Sequence, residues 1–245
     1  MNPDVWLPAA PASSATARKR LIVIPHAGSG AAPWFGWREQ LPDDVELRVA
    51  RLPGREIRFG ETPLTSAREV IAELARAVSS LSPLPLVIFG HSLGALLAYG
   101  VSASLRGAAR ALAVSGQTAP DRTVPHGDLL RLPDIELAAE ASRRWHAVPT
   151  ELLDEPEALA IFLPTLRADL ALVDSCCAWT GTPLDIPLLV FAGTGDDLCA
   201  DGVHRWAAYT RGGMRLVRHP GVHLAVLDDP AVATLIIRTC LGSLR

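Results

Sequence analysis

Lysine is nearly absent from this 245-residue chain: Lys19 is the only one, and the other basic side chains are arginine. That imbalance is read as compositional bias rather than function. The formal net charge is −3 and no Lys/Arg run occurs, which excludes a nucleic-acid footprint. Cysteine is scarce too. Cys176, Cys177, Cys199 and Cys240 are too few for a disulfide scaffold at this length, and the adjacent pair is poorly placed to bridge itself. No C-x-x-C occurs, so neither zinc nor thiol-redox chemistry is signalled, and reduced thiols of a cytoplasmic protein are expected. No run of about eighteen apolar residues exists, so no membrane span is expected. Pro8 to Ala17 is rich in small residues but lacks the basic and apolar regions of a signal peptide. Residues 1–18 are therefore read as a flexible N-terminal tail.

What the chain does have is apolar content, 49 %, enough for one sizeable α/β domain over 19–245. Leu21-Ile22-Val23-Ile24, Val45 to Ala50, Leu86-Val87-Ile88-Phe89, Ala111 to Val114, Leu188 to Phe191 and Arg215 to Val217 read as strands. Between them lie helical patterns, among them Trp34 to Leu41 and Val203 to Tyr209. A capping box, Ser66-x-x-Glu69, opens another, and Asp229-Pro230 opens the last. This alternation argues for a mostly parallel sheet with helices on both faces. Residues 121–180 interrupt it with helical patterns alone, one capped by Asp154 with Glu157 and kinked at Pro164. This insertion is a candidate lid.

The strongest chemical signal is Gly90-His91-Ser92-Leu93-Gly94, set between an apolar strand run and a helix-forming one. Strand, G-x-S-x-G, helix is the context of a nucleophile elbow, whose tight turn needs tiny neighbours around the serine. A serine hydroxyl attacks well only when a base takes its proton. In such folds an acid and then a histidine follow the serine along the chain. The loop Gly193-Thr194-Gly195-Asp196-Asp197 supplies the acid. Asp196, fourth in Gly-x-x-Asp, is chosen, with Asp197 left open beside it. His219 and His223 fall in the region expected for the base, and His223, beyond Pro220-Gly221, is chosen. That turn also argues against a helical metal pair, so no metal and no cofactor are expected. The oxyanion donors are expected to be the backbone N–H groups of Ala27 and Leu93. His26 and His91 are read as structural, holding loop backbone by hydrogen bonds. Gly28-Ser29-Gly30 lacks the third glycine and the distal acid of a dinucleotide loop.

Beyond the elbow, five further stretches carry a family resemblance. They are Pro25-His26-Ala27-Gly28 with Trp37 and Leu41-Pro42; Leu52-Pro53-Gly54-Arg55-Glu56; Ser115-Gly116 with Ala119-Pro120; Leu163 to Asp169; and Pro220-Gly221 before His223. In this order they resemble the type II thioesterases, stand-alone editing hydrolases of polyketide and nonribosomal peptide assembly lines. The resemblance implies an α/β-hydrolase fold with a helical lid. It also implies hydrolysis of stalled or mis-primed acyl groups from the phosphopantetheine arm of an acyl or peptidyl carrier protein. It departs at Cys176-Cys177, where an aromatic is frequent, and at Asp197, where a proline is. A general esterase or lipase with the same triad and a chain-releasing thioesterase are the competing readings. Trp145, Phe162 and Trp179 are candidates to line an acyl channel, although ordinary packing explains each equally well. Arg143, Arg144 and Arg167 are candidates to meet an acidic carrier. A monomer is expected.

Overall fold

Period-two burial builds the sheet. Leu21, Val23, Val87, Phe89, Ala111, Ala113, Leu189 and Phe191 fall in one apolar cluster. Their neighbours Ile22, Ile24, Ile88, Leu112, Val114, Leu188 and Val190 fall in the cluster on the opposite face. Both faces of the sheet are thus covered, so the strands read as continuous apolar runs. The structure, a computed structural model, describes residues 2–11, 16–145, 148, 150–177, 181–199 (only the backbone at 199) and 202–244.

The strands are β1 (Lys19–Ile24), β2 (Val45–Val49), β3 (Leu86–His91), β4 (Ala109–Ser115), β5 (Leu188–Gly193) and β6 (Met214–His219). They pair in the order β2-β1-β3-β4-β5-β6, each pair parallel. The α-helices are α1 (Pro3–Trp6), α2 (Ala67–Ser79), α3 (Leu93–Ser104), α4 (Gly127–Leu130), α5 (Asp134–Trp145), α6 (Thr150–Leu153), α7 (Pro156–Cys176), α8 (Ala225–Asp228) and α9 (Pro230–Gly242). Helix α2 begins at Ser66, whose hydroxyl accepts from the Glu69 N–H, and α9 at Asp229, whose carboxylate accepts from the Ala231 N–H. Those caps satisfy backbone donors that have no partner inside the helix.

Three sequence expectations need correction. The helical patterns at Trp34 to Leu41 and Val203 to Tyr209 form 3₁₀ helices, over Ala32–Gln40 and Val203–Tyr209. In the first, Trp34 and Trp37 are buried three residues apart, the spacing that a 3₁₀ turn puts on one face. Asp154 does not cap α7; Glu155 holds that position and makes no side-chain cap. The chain before β1 is not loose over residues 3–10. Trp6 and Leu7 join the core, and the Arg58 guanidinium lies 4.2 Å over the Trp6 ring. Ala9 bridges to Arg48 alongside β2. The small-residue run from Pro8 drew attention away from Trp6 and Leu7, the two large apolar side chains that anchor this stretch.

Between β4 and β5 the chain leaves the sheet and forms α4 to α7. These helices build a cluster of their own from Leu129, Leu137, Ala138, Ala141, Trp145, Val148, Leu159, Leu163, Leu166 and Leu170. Pro164 lies inside α7. Arg167 ties the layer together, donating to the carbonyls of Leu130 and Leu132 and to Asp134.

Candidate active site

Ser92 sits between the end of β3 and the start of α3, with φ 55° and ψ −122°. A non-glycine residue there is strained by about 1–3 kcal/mol. The turn closes so tightly that a Cβ on Gly90 would strike the Gly94 carbonyl, and one on Gly94 the Ile24 carbonyl. The two glycines therefore let β3, α3 and β1 meet around a half-buried serine. The Ser92 N–H donates to Ser115 O at 2.8 Å, which pins the elbow to β4.

The candidate acid and the candidate base arrive on two loops that are joined by backbone. Thr194 N–H donates to His219 O at 2.9 Å, and Gly195 N–H to Gly221 O at 3.0 Å. This zipper, extending the β5–β6 pairing, brings Asp196 beside His223. The distance from His223 Nδ1 to Asp196 Oδ2 is 2.9 Å, and the other carboxylate oxygen accepts from the Leu198 N–H at 3.1 Å. Both side chains are buried, with Asp196 7 % and His223 6 % exposed, whereas Asp197 is exposed. An Nδ1–H bonded to a buried carboxylate leaves Nε2 as the proton acceptor.

Ser92 and His223 line one cavity, together with His26, Ala27, Gln117, His126, Trp145, Leu170, Val173 and Leu198. The N–H groups of Ala27 and Leu93 have no protein acceptor among the described residues. Of the three aromatic candidates, Trp145 lines this cavity. Phe162 does not; it packs at the Gly28 loop beside the insertion's own cluster. Trp179 lies outside the described residues. Gln117, His126, Leu170, Val173 and Leu198 carry no local sequence signal for facing a cavity. Only the closing of the insertion over β4 and β5 brings them there.

His26 and His91 differ from expectation in how they act. His26 Nδ1 and both ring nitrogens of His91 are buried without a hydrogen-bond partner. The two act by packing: the His91 ring centroid lies 4.8 Å from that of His223, 5.8 Å from His26 and 6.0 Å from Trp34. Burial first, and then the neighbouring His223, push His26 down to about 3 and hold His91 well below the usual histidine range. Both are therefore neutral at physiological pH. Burial likewise lowers His126, whose ring lies 5.0 Å from that of Trp145. The three thiols described are poorly suited to act as nucleophiles, since burial raises Cys176 and Cys240 to about 12 and Cys177 to about 11. Arg143 and Arg144 both pair with Glu140 on the exposed side of α5. No group of His, Cys, Asp and Glu among the described residues could hold a metal ion. No helix among them is long and apolar enough to cross a membrane.

A profile of the thioesterase domain matches residues 19–243. Gramicidin S biosynthesis protein GrsT of Aneurinibacillus migulanus is 31 % identical over 229 residues, covering 91 % of this chain and 89 % of that protein. Thioesterase PikA5 of Streptomyces venezuelae is 31 % identical over 216 residues, covering 86 % and 76 %. Among solved structures, the type II thioesterase BorB from the borrelidin biosynthetic cluster superposes with a TM-score of 0.87. It is 28 % identical, covering 99 % of this chain and 98 % of that one.

Proposed function

Because the chain belongs to the thioesterase family, a serine-based line of thioester hydrolases, we propose that it is a type II, editing thioesterase that clears acyl groups from carrier proteins in polyketide or nonribosomal peptide biosynthesis. The observation that carries the reading is the strained Ser92 elbow sharing one cavity with a His223 already oriented by Asp196. The sequence likeness to GrsT and PikA5 and the structural likeness to BorB support the substrate class.

In this reading Ser92 Oγ attacks the thioester carbonyl while His223 Nε2 takes its proton. The carbonyl oxygen becomes negatively charged between the Ala27 and Leu93 N–H groups, each such donor being worth about 3 kcal/mol. The intermediate collapses to a Ser92 ester, and the departing thiolate takes the proton from His223. Water then repeats the sequence against the ester, releasing a carboxylic acid and the free hydroxyl. Asp196 fixes the imidazole tautomer and stabilises the cation formed in each half. Helices α4 to α7 serve as the lid, placing Trp145 and His126 against the acyl group. Ser92, His223 and Asp196 all come from one chain, which supports our reading of a monomer that works beside its carrier in the cytoplasm.

The test is acyl release from a panel of loaded carrier proteins, followed by intact-protein mass spectrometry, with Ser92→Ala as control. Serine-dependent release, faster from the carrier than from matched small thioesters, supports the proposal. Turnover of free esters with none from the carrier would make the protein a general esterase.

A further inference from the structure

Two stretches that stand out in the sequence play no part in the triad: Leu52-Pro53-Gly54-Arg55-Glu56 and Leu163 to Asp169. Far apart along the chain, they meet in space. Arg55 donates through Nη1 to Asp169 Oδ2 at 2.8 Å and through Nη2 to Oδ1 at 2.7 Å. One turn earlier on α7, Thr165 Oγ1 donates to Gly54 O at 2.9 Å. Arg55 is 8 % exposed and Asp169 1 %. Two-pronged pairing of this kind fixes geometry as well as charge. Burying two charges is costly, so the pair is poorly explained by stability alone.

What the pair holds is the loop after β1. Asp169 Oδ2 also accepts from the Gly28 N–H at 2.7 Å, and Arg55 Nη1 also donates to Ser29 O at 2.9 Å. The next residue, Glu56, takes the far end of the same loop, with Oε1 accepting from the Ala32 N–H at 2.8 Å. Glu56 sits at φ 52°, a strained position for a non-glycine residue, and its other oxygen accepts from Arg51 at 2.5 Å. Ala27 directly precedes the first anchored residue and lines the Ser92 cavity.

We infer that Arg55 and Asp169 are positioning residues, locking the loop after β1 so that the Ala27 N–H stands ready where the oxyanion forms. Neither touches substrate. An oxyanion donor helps only if it is in place before the charge develops, since a loop that must reorganise during the reaction loses that advantage. Asp169 also ties the loop to α7, so the donor and the roof of the cavity hold one geometry.

This inference rests on Ser92 being the nucleophile, and the experiment separates the two. Arg55→Met/Asp169→Leu removes both charges together and leaves none buried alone. Arg55→Lys keeps the charge and loses the fork. Each variant is compared with wild type in kcat, in KM and in inhibition by an alkylboronic acid. The boronic acid bonds to the serine as a tetrahedral anion, and a matched uncharged amide reports ground-state binding. The expected result is a kcat lower by about 10²-fold in both variants. Boronate affinity should fall in proportion, while KM and amide binding change little. Unchanged kcat and boronate affinity, or losses shared equally by KM and the amide, would overturn the inference. Thermal unfolding confirms that each variant is folded, and the lysine variant carries the test if the double variant is not. If the wild type itself neither hydrolyses thioesters nor binds boronate, the nucleophile assignment fails instead.

Discussion

Asp196 and Asp197 are neighbours with opposite surroundings: one carboxylate is buried against His223 and Leu198, the other lies in solvent. Asp196→Asn should lower kcat by about 10⁴-fold, since the amide stabilises the wrong imidazole tautomer. Asp197→Asn should leave kcat nearly unchanged. Steady-state rates of the two variants decide this, and the reverse order would move the acid by one position. His91 makes a different prediction. Its imidazole is 1 % exposed and stays neutral in the fold well below 6.5, whereas in the unfolded chain it takes up a proton near 6.5. The unfolded state then binds the extra proton, so stability is complete above about pH 6.5 and falls as pH drops below it. The slope is about 1.4 kcal/mol per pH unit for one histidine. Urea unfolding of His91→Phe between about pH 6.5 and 4.5 should show a shallower loss by that amount; an equal slope would mean that His91 protonates within the fold. At this scale the sequence was informative where chemistry is local. The elbow glycines and the Gly-x-x-Asp spacing mark Ser92 and Asp196 directly. Nothing local marks the cavity-facing side of Gln117 or His126, or pairs Arg55 with Asp169 across 114 positions.

The inner strands β1, β3, β4 and β5 were legible because each is a largely apolar run covered on both faces, and the capped starts of α2 and α9 were legible because Ser66 and Asp229 act within one turn. The 3₁₀ helices were not, because spacing by three and spacing by 3.6 coincide over so few residues. Helix α7 starts without the cap expected of Asp154; what fixes the helix is its packing and the bonds of Thr165, Arg167 and Asp169. Helix α5 delivers one side chain that should set substrate size: Trp145, 8 % exposed, walls the cavity. Trp145→Ala should move preference towards longer or bulkier acyl groups, raising kcat/KM for them relative to acetyl. A loss of about 3–5 kcal/mol in stability is expected to accompany it. An unaltered preference in a folded variant would place the acyl chain elsewhere.

Across the whole molecule, the strand order reverses between β1 and β3, and the site assembles from loops at the carboxyl ends of β1, β3, β5 and β6. That is where an open parallel sheet leaves a crevice. The two outermost strands remain. On β6, Arg215 and Arg218 are exposed, and charges of this kind discourage another strand from adding there. On β2 the protection comes from the segment before β1. Ala10 N–H donates to Leu47 O at 2.9 Å and Val49 N–H to Pro8 O at 3.2 Å, occupying the bonding groups that an open edge would display. Removing residues 1–10 should leave β2 open and take Trp6 and Leu7 from the core. Light scattering should then show concentration-dependent self-association, while any folded monomer remains reactive at Ser92. The opening residues of the chain thus act as a guard that keeps the protein from polymerising with its own copies.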